Sequence, residues 1–245
     1  MSKTSKIVVL KDAKEIAATA AKEFIHLANA AIRDHGFFSA AFSGGSTPKR
    51  LYETLAADTS LTWEKIHVFW GDERHVPPDH PDSNFRMTEE TLLSHVSIPA
   101  SNIHRIRAEE PDAGYAAQLY ENDLNVFFVG PPRLDLALLG MGSDGHTASL
   151  FPGTKALRET DRLVVSNWVG KLYSNRITLT APVLNQATCV LFLVSGADKA
   201  SALKGVHEGP FEPDQLPAQL ISPVSGKLLW LVDQAAARLL DKIEN

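Results

Sequence analysis

Short apolar runs and longer amphipathic stretches follow one another along the chain, and they predict strands and helices in turn. A capping-box pattern at Asp12 and Glu15 begins an alanine-rich helix that ends near Gly36. The other patterns predict helices over 48–57, 85–95 and 112–128 and after Asp198 and Asp233, and strands over 7–10, 37–42, 65–70, 102–106 and 134–140 and near Leu163, Arg176, Cys189 and Leu228. Because strands alternate with helices, we expect one α/β domain, residues 1–245, with a mostly parallel sheet covered on both faces.

Composition and charge are those of an ordinary globular protein. Of the 245 residues, 44% are hydrophobic and 22% are charged. The net charge of −5, without a long basic run, argues against nucleic-acid binding. No stretch has the pattern of a signal peptide or a transmembrane segment, so we expect a cytoplasmic protein that does not bind membranes. The one cysteine, Cys189, lies in an apolar run, which predicts a buried thiol and leaves neither a disulfide nor a cysteine metal site.

The most informative segment is a predicted buried strand that breaks into a glycine-rich turn. The run 134–140 is followed by Met141-Gly-Ser-Asp-Gly-His-Thr-Ala-Ser-Leu-Phe-Pro152. Glycines allow a backbone path that side chains would block, and this path carries Asp144 and His146. Since ligand sites in open α/β sheets lie outside the carboxyl ends of strands, an acid and a base there indicate proton-transfer chemistry. A structural turn without chemistry is the alternative meaning of the pattern.

The same turn fits the G-x-G-x-x-G pattern of dinucleotide-binding folds, with Asp161 at a suitable distance. We reject this interpretation for three reasons. Asp144 would stand inside a turn that must receive a pyrophosphate. Phe151-Pro152 interrupts the following helix, and the motif falls past the middle of the chain instead of in a first βαβ unit.

A second glycine-rich segment lies between a predicted strand and a predicted helix. We expect Thr47 to cap this helix and Pro48 to be its first residue. Free N–H groups at a helix N-terminus bind anions. The Gly-Lys-Ser/Thr ending of a P-loop is absent, so a lone sugar phosphate fits better than a nucleoside triphosphate. A helix cap without a ligand is the alternative. The candidate phosphate-binding residues of this segment are Ser43, Gly44, Gly45, Ser46 and Thr47.

Further candidates are charged residues near the ends of predicted strands and helices, and each alone is a weak signal. Lys199 stands in the first turn of a predicted helix, where a cation opposes the helix dipole and suggests a nearby anion. We expect a long polar loop after Trp70, where a solvated charge cluster is the ordinary interpretation. The remaining candidates are Asp72, Glu73, Arg74 and His75 in this loop, Arg86 after a predicted helix cap, and Arg176 at the start of a predicted strand.

Taken together, four segments resemble the 6-phosphogluconolactonase family and follow its order. They are Phe42-Ser-Gly-Gly-Ser-Thr-Pro48, Trp70-Gly-Asp-Glu-Arg74 with Ser83-Asn84, Gly140-Met-Gly-Ser-Asp-Gly-His-Thr-Ala-Ser-Leu-Phe-Pro-Gly153 and Arg176-Ile-Thr-Leu-Thr180. The resemblance spans roughly residues 40–200, and outside them it is one of length and pattern. It implies a modified Rossmann-like three-layer αβα sandwich, shared with glucosamine-6-phosphate deaminases and ribose-5-phosphate isomerases.

The resemblance also implies an activity, the hydrolysis of 6-phosphoglucono-1,5-lactone to 6-phosphogluconate in the oxidative pentose phosphate pathway, with no cofactor and no metal. We expect His146 to act as general base on a water molecule and Asp144 to orient the imidazole or the water. Arg74 is the expected stabiliser of the oxyanion. This mechanism needs no covalent nucleophile, and the nearby Ser143 and Ser149 do not stand in a G-x-S-x-G motif.

The remaining candidates are expected to hold the substrate, a small phosphorylated sugar lactone. The 43–47 loop, Arg176 and Lys199 would bind the 6-phosphate, and Asp72 and Arg86 complete the predicted substrate site. The sequence leaves open which arginine meets the phosphate and which the carbonyl. It also leaves the assembly open, and we expect a monomer or a weak homo-oligomer.

Two rival functions would use the same pocket. A sugar-phosphate isomerase or deaminase would add Asp72 as a second acid/base group, but deaminases carry a glutamate before the proline that closes the turn, where this chain has Phe151. A non-catalytic sugar-phosphate sensor would need the phosphate loop but neither Asp144 nor His146. A metal site is disfavoured because five histidines lack ligand spacing on one element: His67, His75, His80, His95 and His104.

Overall fold

The structure, a computed structural model, describes residues 5–241. Helices and strands alternate through most of the chain. The helices are α1 Ala13–His35, α2 Ser46–Ala56, α3 Asn84–Thr91, α4 Ala113–Phe127, α5 Ala181–Gln186, α6 Ala200–Glu208 and α7 Gln234–Ala237. The strands are β1 Ser5–Leu10, β2 Phe38–Phe42, β3 Ile66–Trp70, β4 Asp72–Arg74, β5 Leu136–Leu139, β6 Val164–Val169, β7 Ser174–Leu179, β8 Cys189–Val194 and β9 Lys227–Asp233.

Six strands form a parallel sheet in the order β1-β9-β8-β5-β2-β3. Every residue of β2, β5 and β8 is buried, as expected for strands covered on both faces. Helix α1 contacts β1, β2, β8 and β9, and α2 contacts β8. The predicted α/β fold with a mostly parallel sheet is confirmed.

Helix α1 illustrates how local sequence determines an element and its packing. Asp12 caps the helix by accepting a hydrogen bond from the Glu15 N–H at 2.9 Å, and Gly36 ends it with φ 97°. Ile16 and Phe24 are fully buried, and burial of a side chain of this size contributes about 1.5–3 kcal/mol. Both belong to a hydrophobic cluster that also contains residues of the parallel sheet, and the single domain over 1–245 stays a prediction.

A second sheet has three antiparallel strands in the order β4-β7-β6. Strands β6 and β7 form a hairpin, and β4 pairs with β7 so that Arg74 stands opposite Arg176. The sequence pattern predicts a polar loop at β4, and this prediction is wrong. The segment Asp-Glu-Arg carries no local strand signal, because its pairing partner comes far later in the chain.

Other predicted elements also differ from the structure. The strand over 102–106 is absent, since Ile103 makes only an isolated bridge to Val68. Helix α3 ends at Thr91 and a separate helical turn follows over Leu93–His95, where one helix to His95 was predicted. The six-residue helix α5 was not predicted, because a segment so short shows no helical period.

The prediction of a buried thiol is confirmed. Cys189 begins β8 and is buried, and burial raises the pKa of the thiol to about 12. None of the helices between residues 5 and 241 combines the length and the apolar character that a membrane crossing requires.

The strand order creates a crevice beside the two glycine-rich segments. After β2 the chain adds β3 on one side, whereas β5 joins β2 on the other side. In open α/β sheets, ligands bind outside the carboxyl ends of the strands at such a reversal. The segments that leave β2 and β5 at this point begin at Ser43 and Gly140.

Candidate active site

A cavity of about 250 Å³ lies at the carboxyl ends of the central strands, and the segments that follow β2, β3, β5 and β8 contribute to its wall. Both sequence segments that predict chemistry therefore meet in one place. The predicted site residues that line the cavity are Ser43, Gly44, Gly45, Ser46, Thr47, Asp72, Arg74, His146 and Lys199.

The segment 43–47 presents an uncapped helix N-terminus to this cavity. Helix α2 begins at Ser46, and its N-cap is Gly45 with φ 110°; no side chain caps it within the described residues. The expectation that Thr47 caps the helix and Pro48 begins it is wrong, because glycine can adopt a φ that turns the chain into the helix two residues earlier. The first N–H groups of α2 therefore lack a side-chain acceptor and can bind an anion.

Two side chains hold this segment from behind. The Tyr52 hydroxyl accepts a hydrogen bond from the Ser43 N–H at 2.9 Å and donates one to the Ser43 carbonyl at 2.8 Å. The Asn84 amide occupies the space beside Gly44, where a Cβ would overlap it. The Ser43 hydroxyl is buried and has no hydrogen-bond partner among residues 5–241. Ser43 lines the cavity, and its buried hydroxyl can be satisfied by a phosphate oxygen once the side chain rotates toward the cavity.

The turn after β5 holds Asp144 and His146 as a hydrogen-bonded pair. His146 Nδ1 lies 2.5 Å from Asp144 Oδ1, which also accepts the His146 backbone N–H at 3.2 Å. A Cβ on Gly142 would overlap the His146 ring, and Gly145 has φ 76°, so this path requires glycines. When Nδ1 donates to Asp144, a neutral ring carries its lone pair on Nε2. His146 lines the cavity and Asp144 does not, so the imidazole stands between Asp144 and the cavity.

Two further side chains surround this pair. The Phe151 ring stacks on the His146 ring with centroids 4.1 Å apart, and Lys171 Nζ bonds to Asp144 Oδ2. Partial burial acts to raise the pKa of Asp144, but the hydrogen bonds from His146 and Lys171 outweigh burial and hold this pKa well below its ordinary value. Asp144 is therefore an anion at neutral pH.

Strand β4 brings Arg74 to the cavity, and Glu73 holds it there. Glu73 is buried and lies outside the cavity wall. Burial raises the pKa of Glu73, while hydrogen bonds act to lower it. The donors to its carboxylate are the backbone N–H groups of Arg74, Asn84 and Phe85 and the hydroxyl of Ser83. Glu73 therefore joins β4 to the start of α3.

Asp72 lines the cavity from the same strand and is buried. Its Oδ2 accepts a hydrogen bond from the Ser149 hydroxyl at 2.5 Å, and its carbonyl accepts one from the Asn84 amide at 2.9 Å. A carboxylate repels a phosphate group but accepts hydrogen bonds from hydroxyl groups. This position therefore suits the sugar part of a ligand.

Arg86 lies away from the cavity. Its Nε donates to Glu90 Oε1 at 2.7 Å and its Nη1 donates to the Asp79 carbonyl at 2.9 Å. The Arg86 side chain lines a different depression, on the surface beside Phe85. The structure gives the predicted contact of Arg86 with the ligand no support, because its guanidinium is held by its own helix and the loop before it.

Arg176 stands opposite Arg74 on the paired strand and does not line the cavity. Its Nη1 donates to the Ser174 hydroxyl at 2.9 Å. Burial, and then the nearby positive charge of Arg74, lower the pKa of Arg176. Two neighbouring guanidinium groups favour an anion in the cavity, but Arg74 is the one placed to touch it.

Lys199 reaches the cavity from the segment after β8. Its Nζ lies 3.0 Å from Asp198 Oδ2, and the lysine side chain is only 24% exposed. The Ser195 hydroxyl lines the same wall and donates to Asp233 Oδ2 at 2.5 Å. Asp233 therefore anchors the loop that carries Lys199.

Sequence reasoning missed Lys171, Ser149 and Ser195 as neighbours of the site. Lys171 contacts Asp144 from the β6–β7 hairpin, and this second sheet was not predicted. Ser149 lies within the recognised turn, but its partner Asp72 comes from another strand. Only three-dimensional pairing reveals these contacts, since none has a local sequence pattern.

Within the described residues, no group of three or more His, Cys, Asp or Glu side chains is arranged to hold a metal ion. Two of the histidines that the sequence presents form a pair of their own. His67 Nδ1 lies 3.1 Å from His104 Nε2, and both rings pack against Phe127.

Comparison with known proteins identifies the family. A family profile described as glucosamine-6-phosphate isomerases/6-phosphogluconolactonase matches residues 11–230. A Synechocystis protein named 6-phosphogluconolactonase is 50% identical over 86% of this chain and 88% of its own length, and a Nostoc protein of that name is 46% identical over 96% and 98%. The solved structure of 6-phosphogluconolactonase from Trypanosoma cruzi has a TM-score of 0.88 with 30% identity over 99% of both chains. The chain therefore belongs to the glucosamine-6-phosphate isomerase/6-phosphogluconolactonase family.

Proposed function

We propose that this protein hydrolyses 6-phospho-D-glucono-1,5-lactone to 6-phospho-D-gluconate, in the oxidative pentose phosphate pathway. One observation carries the proposal: the uncapped N-terminus of α2 and the ring of His146 line the same cavity. A phosphate held at the N-terminus of α2 places the rest of the sugar toward the His146 ring. The relatives that cover most of this chain carry the name of the same activity.

The N-terminus of α2 forms the phosphate end of the cavity. This end supplies binding energy without taking part in bond breaking. The N–H groups at the start of α2, the unpartnered hydroxyl of Ser43 and the ammonium of Lys199 surround the 6-phosphate. Asp72 accepts a hydrogen bond from a hydroxyl group of the sugar. Interactions with a remote phosphate fix the position of the carbonyl and lower the entropic cost of reaching the transition state.

His146 and Asp144 form a dyad at the other end of the cavity, and this dyad end activates water. A neutral His146 takes a proton at Nε2 while the water oxygen bonds to the lactone carbonyl carbon. Asp144, an anion beside Nδ1, stabilises the imidazolium that forms. The bond between the carbonyl carbon and the ring oxygen then breaks, and the imidazolium returns the proton to the departing oxygen. The product is the open-chain acid, which ionises in water.

Arg74 stabilises the charge that develops on the carbonyl oxygen. It lines the cavity, and its Nη1 donates to the Asp82 carbonyl at 2.6 Å, which leaves the other N–H groups of the guanidinium for the ligand. A donor placed at a developing oxyanion is worth roughly 10²–10³-fold in kcat. Arg176, opposite it on β7, does not touch the ligand in this scheme.

Replacement of His146 tests the function. The lactone opens spontaneously, so the rate without enzyme is subtracted from each measured rate. We expect clear lactonase activity in the unaltered protein and a kcat that is lower by about 10²–10⁴-fold in His146→Ala. The affinity for 6-phosphogluconate should change little, because the phosphate end remains. His26→Ala, an exposed histidine of α1, is the matched control. Near-normal turnover in His146→Ala would refute the role of His146.

The geometry favours hydrolysis over isomerisation or deamination. The residue before the proline that closes the turn is Phe151, and its ring stacks on His146. A phenyl ring cannot relay a proton, so a ring-opening mechanism that needs an acid at this point lacks it. Release of ammonia from glucosamine 6-phosphate at a rate comparable to lactone hydrolysis would reverse this choice. Binding of 6-phosphogluconate without any lactonase activity would indicate a sensor.

The cytoplasmic location, the lack of nucleic-acid binding and the monomer or weak homo-oligomer stay predictions from the sequence. Gel filtration with light scattering measures the last of these directly.

A further inference from the structure

The hairpin of β6 and β7 brings to the catalytic pair a charged side chain, Lys171, which the proposed mechanism does not use. Lys171 Nζ bonds to Asp144 Oδ2, whereas Oδ1 of the same carboxylate faces His146 Nδ1. The two carboxylate oxygens thus have different partners. Rotation of the carboxylate would break both contacts, so Lys171 fixes the orientation in which Oδ1 receives the imidazole.

Lys171 also touches the second group that holds the imidazole. Its Nζ lies 4.9 Å from the centroid of the Phe151 ring, and this ring stacks on His146 with an interplanar angle of 23°. The face of an aromatic ring attracts a cation. One lysine therefore contacts both the carboxylate at the edge of the imidazole and the phenyl ring on its face.

We infer that Lys171 is a positioning residue that controls the charge and the orientation of His146 through Asp144. This inference rests on the proposed role of the pair as a general base. An isolated carboxylate beside an imidazole favours the protonated ring, and a second cation at the carboxylate opposes this. Lys171 therefore keeps the imidazole in its neutral, proton-accepting form at lower pH than Asp144 alone would allow.

The other charges around His146 differ from Lys171 in their position. Lys171 does not line the cavity, so it acts on the base from outside the ligand site. Arg74 and Lys199 also oppose protonation of the ring, and Asp72 favours it. All three line the cavity and are expected to touch the ligand. A change at Lys171 should therefore alter the pH dependence of turnover without altering the binding of substrate.

The expected effect is moderate because the contact is only partly shielded from water. The Lys171 side chain is 52% exposed and that of Asp144 is 28% exposed. Ion pairs with this exposure are worth a fraction of those in a dry interior. We expect Lys171→Gln to move the acidic limb of the kcat/KM profile to higher pH by roughly half a unit. Its KM on the plateau of the profile should equal that of the unaltered enzyme.

The experiment compares full pH profiles of kcat and KM for Lys171→Gln and Lys171→Arg. The arginine variant keeps the positive charge, so its profile should return to that of the unaltered enzyme. Lys22→Gln, an exposed lysine of α1, controls for the loss of one charge from the surface. An unmoved acidic limb in Lys171→Gln overturns the inference. A raised KM with an unmoved limb also overturns it, because that result would place Lys171 against the substrate.

A second measurement does not depend on activity. The His146 ring signals, assigned by their loss in His146→Ala, are titrated by NMR without substrate in the unaltered protein and in Lys171→Gln. We expect the midpoint to move to higher pH in Lys171→Gln, in the same direction as the kinetic limb. If lactonase activity is absent but the midpoint moves, the proposed function fails and the coupling of Lys171 to His146 stands. If activity is present and neither midpoint nor limb moves, the coupling fails and the function stands.

Discussion

The two ends of the cavity differ in composition: backbone groups form one and side chains form the other. The proposed phosphate end is formed by backbone: the start of α2, the glycines before it, and the Ser43 N–H and carbonyl, both of which are hydrogen-bonded to the Tyr52 hydroxyl. The dyad end is formed by side chains: an imidazole, a carboxylate, an ammonium and a phenyl ring in contact. The first end should therefore respond to substitutions through binding, and the second through turnover and pH.

A substitution of Gly142 should produce the largest effect, and it tests the dyad end without altering any ionisable group. A Cβ on Gly142 would overlap the His146 ring, so Gly142→Ala must displace the imidazole. We expect kcat to fall by about 10²–10⁴-fold, the contribution of a general base. Calorimetric titration with 6-phosphogluconate is the internal control, since affinity at the phosphate end should persist. Loss of affinity equal to the loss of turnover would contradict the division between the two ends.

Gly44→Ala probes the opposite end by the same kind of change. A Cβ on Gly44 would overlap the Asn84 amide, so the loop and the Asn84 side chain must separate, and we expect the N–H groups of the loop to leave the position in which they meet the proposed phosphate. We expect KM to rise by roughly 10–100-fold, as one charge-assisted hydrogen bond worth about 1.5–3 kcal/mol is lost. The shape of the pH profile should not change. A shifted profile with a normal KM would show that the two ends are not independent.

The smallest effect concerns stability at acid pH and involves Asp144. Its pKa is lowered in the folded protein by its hydrogen bonds to His146 and Lys171, against the effect of burial. A carboxyl pKa that is lowered on folding stabilises the folded state when the pH is above the ordinary aspartate pKa of about 3.9. This stabilisation is lost progressively as the pH falls below that pKa. Chemical denaturation of Asp144→Asn should show a weaker loss of stability than the unaltered protein between about pH 5 and pH 2. Parallel curves for the two proteins would argue against the Asp144 contacts.

The sequence predicts elements well where the pattern is local. The cap at Asp12, the glycine end at Gly36 and the apolar runs of β2 and β5 depend on near neighbours, and the structure has them within a few residues. Strand β4 is different, because Asp-Glu-Arg becomes a strand only by pairing with β7. The start of α2 depends on the φ of Gly45, which a capping pattern at Thr47 does not reveal.

The candidate site divides in the same way. The two glycine-rich segments point to the cavity because strand ends in a parallel sheet share one edge. Arg86 was included on sequence grounds, yet its guanidinium turns to Glu90, and no sequence pattern fixes the direction of a long side chain. Lys171 is the converse case, a residue without a pattern that tertiary structure brings to Asp144.

The burial of Cys189 has a practical consequence. The chain has no other thiol, and with a pKa of about 12 this one has almost no thiolate at neutral pH. Maleimide reagents should leave the natural protein unlabelled. A cysteine introduced at Leu172, which is 45% exposed next to Lys171, would then carry a fluorophore at a single chosen point, and its emission would report on the hairpin while the enzyme turns over.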